Sequence, residues 1–355
     1  MSKPKVLIFA PREEPRDILQ GLEKAGFDVA IGDKAWQMPG GKHEDALVAA
    51  TRDAVALIGT SIRATPITRR VMEASQRLRI IAKYIIGVDE VDLDAATELG
   101  IMVCHAPTED NCFAVAEATM AMMLAILKKI QRRDAAVRAG KWREREHVGT
   151  YLGARLSDGY PGITIGIVGL GRIGLRVTQL LAPWRVRIIA HDPHIEPVRF
   201  LHAGVPSVDY ETLLRESDVI SYHVTLTNET RYMLAEQQLK MVKPNVVILN
   251  TARGKVVDEV ALARAIDEGR VAAAGIDAFE DEPPARDSLL FKLGDRVLMS
   301  PHATAFNGDG ELRSGIDWAA RAVHTALAGK VPDNVYNKDV LKLWKERFGG
   351  ASVTG

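Results

Sequence analysis

A regular alternation of short apolar runs with helical patterns is the feature that most constrains the fold of this chain. The runs, among them 5–10, 55–59, 163–169 and 246–250, are five to seven residues long and rich in Val and Ile. Runs of this length between turn signals are typical of buried strands. Strands that alternate with helices favour a parallel sheet with helical crossover connections. The pattern therefore predicts an α/β fold.

The predicted strands fall into two series that meet near Gly162. The second series has six strands in the rhythm of one complete doubly wound dinucleotide-binding domain. The remaining segment after 308 is too short for a domain, and its helix, predicted over 317–327, is expected to pack on the first series. The sequence thus predicts two domains with doubly wound parallel sheets, one from 1–105 plus 305–355 and one from 106–304.

Composition excludes several classes of function. Lys and Arg total 46, as do Asp and Glu, so no basic excess favours nucleic acid as a partner. Cys104 and Cys112 are too few for a disulfide framework or a four-thiolate zinc site, and no metal is expected. The apolar stretch 113–127 contains Glu117 and is shorter than the roughly 20 residues that cross a membrane. With no signal-peptide core near Met1, a cytoplasmic protein without membrane contact is expected.

A glycine-rich turn follows the first strand of the second series. Gly169, Gly171 and Gly174 form a G-x-G-x-x-G run, with Arg172 and Ile173 inside it, and a helix is predicted to start near Arg172. Alone, such a run also occurs in plain tight turns. Between a strand and a helix, it permits close approach of a pyrophosphate, whose charge meets free N–H groups at the helix start.

Asp192 is the candidate ligand for a ribose. It follows the next predicted strand, 186–190, and lies 18 residues beyond Gly174, near the roughly 20 of the dinucleotide fingerprint. A carboxylate there would accept hydrogen bonds from the ribose 2′-hydroxyl and repel a 2′-phosphate, which predicts NAD, with NADH preferred over NADPH. A solvated turn aspartate before Pro193 is the alternative interpretation.

Three further polar residues each follow a predicted strand of the second series: Arg253, Glu282 and His302. Ligands of open α/β sheets bind beyond the carboxyl ends of the strands, so we expect the three side chains to converge on one crevice. Taken singly, each has a plainer explanation, namely a solvated arginine, a surface acid and a satisfied core histidine.

At this point the chain resembles the D-isomer-specific 2-hydroxyacid dehydrogenases, roughly from Ile58 to Asn337. The matching segments are 87–93, 115–117, 166–174, 223–230, 249–254, 277–283 and 300–302. The resemblance implies two Rossmann-like domains, of which the flavodoxin-like substrate domain is built from both chain ends. It also implies a small 2-oxo or 2-hydroxy acid as substrate and a homodimer formed through the NAD-binding domains.

The resemblance assigns roles by motif position. Arg253 corresponds to the residue that binds the carboxylate and carbonyl oxygen of the 2-oxo acid, His302 to the acid/base and Glu282 to the partner of the imidazole. A fixed guanidinium stabilises charge on the carbonyl oxygen, a histidine titrates near neutrality, and a carboxylate beside it favours its charged form.

Other positions are assigned to the ligands. Ile86 and Gly87 correspond to the loop that holds the substrate carboxylate, and Asn111 is expected to contact substrate. Asp277 corresponds to a contact with the nicotinamide carboxamide. The residues expected to bind NAD are Gly169, Gly171, Arg172, Ile173, Gly174, Asp192, His223, Thr251 and Asp277.

Departures from the family pattern bear on the substrate. Ile85 replaces a common glycine, and Glu90 replaces a common asparagine, which is expected to place an extra charge near the loop. The substrate side chain is expected to be set by 61–65, 84–86 and the segment around Ala305.

Two alternatives stay open, an NAD(H)-sensing protein like the C-terminal-binding-protein corepressors and a phosphite or formate dehydrogenase. Glu282 disfavours formate oxidation, because formate dehydrogenases have Gln at that position.

Overall fold

The computed structural model describes residues 3–11, 16–37, 43–60, 65–306 and 312–353. Of the segments expected to set substrate specificity, 61–64 lies outside these residues.

The strands of the described residues are β1 Lys5–Ala10, β2 Asp28–Ile31, β3 Ala54–Gly59, β4 Ile80–Lys83, β5 Met102–Cys104, β6 Thr164–Val168, β7 Arg187–His191, β8 Val219–Tyr222, β9 Val246–Asn250, β10 Val271–Ile276 and β11 Val297–Met299. The helices are α1 Arg16–Lys24, α2 Glu44–Thr51, α3 Arg69–Glu73, α4 Leu93–Glu98, α5 Glu109–Leu127, α6 Ile130–Arg138, α7 Arg172–Leu181, α8 Pro197–Ala203, α9 Tyr210–Glu216, α10 Glu236–Leu239, α11 Glu259–Asp267, α12 Arg313–Leu327 and α13 Leu341–Phe348.

The chain divides into two compact units, 1–111 with 308–355 and 112–307. The predicted boundaries, at 105/106 and 304/305, lie a few residues from these limits. Each unit has one parallel sheet, in the order β2-β1-β3-β4-β5 and β11-β10-β9-β8-β6-β7 respectively. The predicted α/β class is confirmed. In the first unit the strand order is the flavodoxin-like 2-1-3-4-5.

The first unit buries both faces of its sheet. Helix α12 packs on β3 and β4, with residues such as Ile316 and Val323 in the same apolar cluster as the strand residues Ile58 and Ile80. The C-terminal segment therefore completes the first unit. Buried strands on both faces explain why their sequences are continuous apolar runs rather than alternating ones.

A break at Lys129 separates helix α5 from α6. Helix α5 ends at Leu127, and α6 starts at Ile130 after Lys129, whose φ is +54°. Lys129 adopts the left-handed conformation, which is uncommon for a non-glycine residue, and it interrupts the helix. Its ammonium donates to Glu146 O at 2.9 Å.

The apolar side chains of α5 are part of the core of the second unit. Met120 and Met123 are buried there, where their flexible side chains fill the core. By length and hydropathy α5 could cross a membrane, but half of its most apolar stretch is buried in the protein, as in many core helices.

Strand register in the second unit brings the candidate site segments to one edge of the sheet. Val168 at the end of β6 pairs with His191 of β7 and Tyr222 of β8. Further along, Ile276 of β10 pairs with Asn250 of β9 and with Met299 of β11. The segments that follow these strands therefore leave the sheet side by side.

Candidate active site

The turn after β6 accepts only glycine at two of its positions. Gly169 has φ +90°, and a Cβ there would lie 2.9 Å from the carbonyl of His223. At Gly174, in the first turn of α7, a Cβ would lie 2.1 Å from Gly169 O. The turn therefore brings the start of α7 into direct backbone contact with the end of β6, as the fingerprint requires.

Gly171 has a different reason for lacking a side chain. A Cβ added there would meet no atom within 4 Å, and the residue lines a cavity of about 560 Å³. Gly171 is the N-cap of α7, and no side chain caps that helix end. Arg172 and Ile173 are its first two residues. An uncapped helix start that opens into a cavity fits the pyrophosphate of a dinucleotide, since its N–H groups and dipole attract anions.

Asp192 lies directly after β7 and against the glycine turn. Its Oδ2 accepts from Leu170 N at 2.9 Å, and its Oδ1 accepts from His194 N at 3.1 Å. Asp192 and His194 both line the same cavity. Each carboxylate oxygen can accept more than one hydrogen bond, so the contacts that orient Asp192 leave it able to accept from ribose hydroxyls.

His223 follows β8 and also lines the cavity. Its Nε2 lies 2.9 Å from Ser221 Oγ, while its Nδ1 is buried and hydrogen-bonds to no atom of the described residues. Burial lowers the pKa of His223 to about 3, so the imidazole is neutral at physiological pH. A buried nitrogen without a partner beside a cavity fits a ligand that supplies the missing hydrogen bond.

The turn after β9 carries Arg253. Its backbone is held by Asn250, whose Oδ1 accepts from Ala252 N at 3.2 Å and whose Nδ2 donates to Arg253 O at 2.9 Å. The neighbouring Thr251 is buried, and its Oγ1 lies 3.0 Å from Thr119 Oγ1 on α5. Arg253 Nη1 donates to Ala252 O at 2.8 Å. The guanidinium is thus half-buried and oriented by its own turn.

His302 and Glu282 form a direct pair. His302 Nδ1 lies 2.8 Å from Glu282 Oε1, which also accepts from Phe279 N at 3.1 Å. Because a carboxylate is the acceptor, Nδ1 carries the proton of the neutral ring and Nε2 is the nitrogen that can exchange protons with a ligand. The His302 side chain is 32% exposed and that of Glu282 is 15% exposed. The arrangement suits an acid/base with a fixed tautomer.

Asp277 holds the segment that carries His302. Its carboxylate is almost fully buried and accepts from Ala303 N at 3.0 Å and from Thr304 Oγ1 at 2.6 Å. The Asp277 carbonyl accepts from His302 N at 2.9 Å. His302 itself has φ +52°, a region that is unfavourable for a non-glycine residue without such support. The nicotinamide contact expected of Asp277 stays a prediction.

The first unit contains the expected substrate loop after β4. Ile85 O accepts from Ala106 N at 3.0 Å, and Ile86 O lies 3.3 Å from His105 Nδ1. Ile86 and Gly87 are half-buried. Asn111 lies in the first turn of α5 and is also partly exposed.

Glu90 does not place an extra charge near this loop, contrary to expectation. Its carboxylate forms an ion pair with Lys83, whose side chain is fully buried while that of Glu90 is 4% exposed. The Lys83 ammonium also donates to Thr60 O at 2.7 Å and lies 5.4 Å from the centre of the Phe9 ring. The charge is therefore neutralised inside the unit.

The structure thus brings Glu282, His302 and Asp277 into direct contact and arranges Gly171, Asp192 and His223 around one cavity. Sequence reasoning missed the contacts that orient them, including Thr304 with Asp277 and Thr119 with Thr251. Thr119 and Thr251 are 132 residues apart, and no local sequence signal could have paired them.

Comparison with known proteins agrees with this geometry. Residues 120–304 match the model of the NAD-binding domain of the D-isomer-specific 2-hydroxyacid dehydrogenases. A glyoxylate reductase from Thermococcus litoralis is 36% identical over 96% of this chain and 98% of its own length. A D-3-phosphoglycerate dehydrogenase from Mycobacterium tuberculosis is 39% identical over 86% of this chain. The chain spans 56% of that longer relative.

Solved structures extend the likeness to three dimensions. A glyoxylate reductase from Paecilomyes thermophila superposes with a TM-score of 0.81 at 27% identity and covers 95% of this chain and 100% of its own. A D-lactate dehydrogenase from Aquifex aeolicus, in complex with NAD and lactic acid, gives 0.79 at 27% identity and covers 94% of this chain and 99% of its own. The family match over more than half of the chain and the near full-length relative lead to one conclusion: this chain belongs to the NAD-dependent D-isomer-specific 2-hydroxyacid dehydrogenases.

Proposed function

We propose that the chain interconverts a small 2-oxo acid and the corresponding D-2-hydroxy acid, with His302 as the acid/base. The observation that carries the proposal is the contact of His302 Nδ1 with Glu282 Oε1 at 2.8 Å, at the edge of the sheet that also carries Arg253. NADH, when bound, supplies the hydride for reduction. The residues of this chain supply the proton, the charge stabilisation and the orientation.

In reduction, His302 donates a proton from Nε2 to the carbonyl oxygen of the 2-oxo acid. Glu282 stabilises the imidazolium beforehand and keeps Nδ1 protonated afterwards. Arg253 binds the carboxylate and the carbonyl oxygen, where its guanidinium offsets the negative charge that develops as the carbonyl is reduced. In oxidation, neutral His302 accepts the hydroxyl proton.

The other assignments are proposed for binding. Backbone N–H groups at Ile86 and Gly87 hold the substrate carboxylate, and Asn111 contacts the substrate. Asp277 would hold the nicotinamide carboxamide of the cofactor, and Thr251 would also contact the cofactor. Asp192, His223 and the turn from Gly169 to Gly174 would hold the ribose and pyrophosphate, with Arg172 and Ile173 at the helix start.

Asp192 supports a preference for NADH over NADPH. Its carboxylate lines the cavity beside the glycine turn, where a 2′-phosphate would meet a negative charge. Asp192→Ala should lower the ratio of kcat/KM with NADH to kcat/KM with NADPH by about tenfold, or about 1.4 kcal/mol. This lies between the roughly 1 kcal/mol of two unit charges 4 Å apart in bulk water and the roughly 4 kcal/mol of such a pair near a protein surface. An unchanged ratio would mean that the ribose contact lies elsewhere.

The test of the activity is NADH consumption by the purified protein with a panel of 2-oxo acids. The panel runs from glyoxylate, hydroxypyruvate and pyruvate to phenylpyruvate and 3-phosphohydroxypyruvate, each repeated with NADPH. We expect turnover with at least one acid and loss of that turnover in Arg253→Ala. A protein that binds NADH but turns over none of these acids would favour the NAD-sensing alternative. Incubation with phosphite and NAD tests the alternative of a phosphite dehydrogenase.

We also propose a homodimer formed through the second unit. Between Val137 and Leu156 this unit exposes large apolar side chains, among them Trp142 at 70% and Leu156 at 87% exposure. Exposed apolar surface of this kind marks contact sites, and the family likeness implies a second copy as the occupant. Sedimentation equilibrium should give a dimer, and Trp142→Asp with Leu156→Asp should give a monomer. A wild-type monomer would refute the proposal.

A further inference from the structure

Two glutamates beside the catalytic pair bind each other's backbone. Glu259 N donates to Glu280 Oε1 at 2.9 Å, and Glu280 N donates to Glu259 Oε1 at 2.5 Å. Tyr232 OH donates to Glu280 Oε2 at 2.8 Å. We call these three residues the glutamate clamp. It joins the first residue of α11 to the loop 277–283, which carries Glu282.

The clamp and the catalytic pair are linked through the backbone of one residue, Phe279. The Glu280 N–H, in the peptide that joins Phe279 to Glu280, is held by the clamp, and the Phe279 N–H, in the preceding peptide, donates to Glu282 Oε1 at 3.1 Å. That same oxygen contacts His302 Nδ1 at 2.8 Å. A displacement of the Phe279 backbone would therefore remove a donor from Glu282 and change its position relative to the imidazole.

The peptide that joins Phe279 to Glu280 is also packed against the turn that carries Arg253. A Cβ added to Gly254 would lie 1.9 Å from the Phe279 carbonyl carbon and 2.3 Å from Glu280 N. Gly254 therefore touches the clamped peptide directly, and no side chain fits between them. The backbone beside Arg253 and the backbone beside Glu282 are held against each other at this point.

The acidic side chains around the clamp can stay close together only if other interactions offset their repulsion. Glu259, Glu280 and Asp281 carry like charges that repel, and Asp258 also lies near the Tyr232 hydroxyl, with Arg231 the opposing cation. Hydrogen bonds from backbone N–H groups to carboxylates are among the stronger ones in proteins. Burial raises the pKa of Glu259 to about 7, and the charges of Glu280 and Asp281 add to the rise. A proton on Glu259 relieves part of this repulsion.

We propose that Glu280 is a positioning residue for the Glu282–His302 pair. It ties the loop backbone to α11 and to Tyr232, which keeps the Phe279 N–H on Glu282 Oε1 and keeps Glu282 on His302 Nδ1. The kinetic consequence of this inference rests on the proposed function, but its structural consequence does not.

The structural consequence is tested by NMR titration of the histidines in the purified full chain, with the His302 signal assigned by its loss in His302→Ala. Glu280→Ala should lower the pKa of His302 toward its value in Glu282→Gln, because a displaced Glu282 no longer favours the imidazolium. Asp281→Ala is the matched control: Asp281 is exposed on the same loop, loses the same charge and makes none of the clamp's hydrogen bonds. Equal shifts in both variants would overturn the proposal.

The kinetic consequence is measured in the same variants with the best substrate of the panel. Glu280→Ala should lower kcat about 10- to 100-fold, the usual size of a small misplacement of reacting groups, with the Kd for NADH within about twofold of wild type. As the pH rises, the rate of reduction by Glu280→Ala should decline at a lower pH than the rate of reduction by Asp281→Ala. A rise in KM alone, with an unmoved pH profile, would contradict a positioning role.

Tyr232→Phe is the alternative test variant if Glu280→Ala does not fold. It removes one hydrogen bond of the clamp and should shift the pKa of His302 in the same direction by less. No shift of the His302 pKa in Tyr232→Phe would then overturn the proposal. If the wild type turns over no 2-oxo acid while the titrations differ as expected, the proposed function fails and the positioning role stands.

Discussion

The loop that carries His302 and the loop that carries Ile86 and Gly87 are anchored in opposite ways. The His302 segment is held by carboxylates, since Asp277 accepts from Ala303 N and Thr304 Oγ1 while Glu282 accepts from Phe279 N. The loop proposed to bind the substrate is anchored by the buried ion pair of Lys83 and Glu90, whose charges cancel.

The difference agrees with the roles proposed for the two loops. An acid/base needs uncompensated negative charge nearby, because a carboxylate favours the protonated imidazole. A loop that binds a substrate carboxylate through backbone N–H groups needs the opposite, since a net negative charge there would repel the substrate. A neutral anchor inside the first unit gives rigidity without that repulsion.

The largest effect is expected at His302, where function and stability should separate. His302→Ala should lower turnover by roughly 10²–10⁴, the usual contribution of a general acid. Because the side chain is 32% exposed and the segment is held mainly through Asp277, the midpoint of urea unfolding should change little. Steady-state kinetics measure the turnover, and NADH titration measures the affinity for the cofactor. Loss of NADH affinity with unchanged turnover would contradict the assignment.

Breaking the Lys83–Glu90 pair should instead have its main effect on stability. Glu90→Ala leaves the fully buried Lys83 ammonium without its partner, and breaking a buried pair in this way costs about 3–5 kcal/mol. Urea unfolding of the variant should show this loss. The double variant Lys83→Met with Glu90→Leu is the control, since replacing both charges by apolar groups should recover most of the stability. A single variant as stable as wild type would mean that the pair does not anchor the loop.

A smaller loss of stability is expected at the carboxylate anchor. Thr304→Val keeps the shape of the side chain but removes the donor that lies 2.6 Å from Asp277 Oδ2. A buried acceptor that loses one partner costs about 1–3 kcal/mol, less than the broken ion pair. Thr304→Ser keeps the hydroxyl and should be close to wild type in both urea unfolding and kcat. If Thr304→Val and Glu90→Ala cost the same, the proposed difference between the two anchors is wrong.

The fold could be predicted from the sequence because its signals are local. Continuous apolar runs located β1 and β9 to the residue, and the glycine run located the start of α7. Strand β2 was missed, since it is short and its four residues are exposed or half-buried. A strand of that kind has neither the continuous apolar run nor a clean alternation.

The contacts that orient the site could not be predicted, because they join residues far apart in the sequence. Glu280 and Tyr232 are 48 residues apart, and Asp277 and Thr304 are 27 apart. Glu90 shows a different limit: its partner Lys83 lies close by in the sequence, on the preceding strand, but only the burial of both side chains reveals an anchor instead of an exposed charge.

A pH-dependent effect sharpens the contrast between neutral and charged anchors. Burial raises the pKa of Glu259 from 4.5 to about 7 in the folded protein. Between these two values the unfolded chain releases this proton while the folded chain keeps it, so the folded state binds more protons and this group's contribution to stability falls as pH rises. Above pH 7 the contribution is constant.

Glu259→Gln removes that titration and keeps an oxygen acceptor for Glu280 N. The variant should match wild type near pH 4.5 and become progressively more stable than wild type up to about pH 7, with a constant difference beyond. Thermal unfolding of both proteins at a series of pH values measures the difference. Asp281→Asn, on the exposed part of the same loop, is the control for the loss of one negative charge. A difference in Tm that did not vary with pH would mean that the Glu259 carboxyl titrates as it does in water and that the clamp carries its full negative charge.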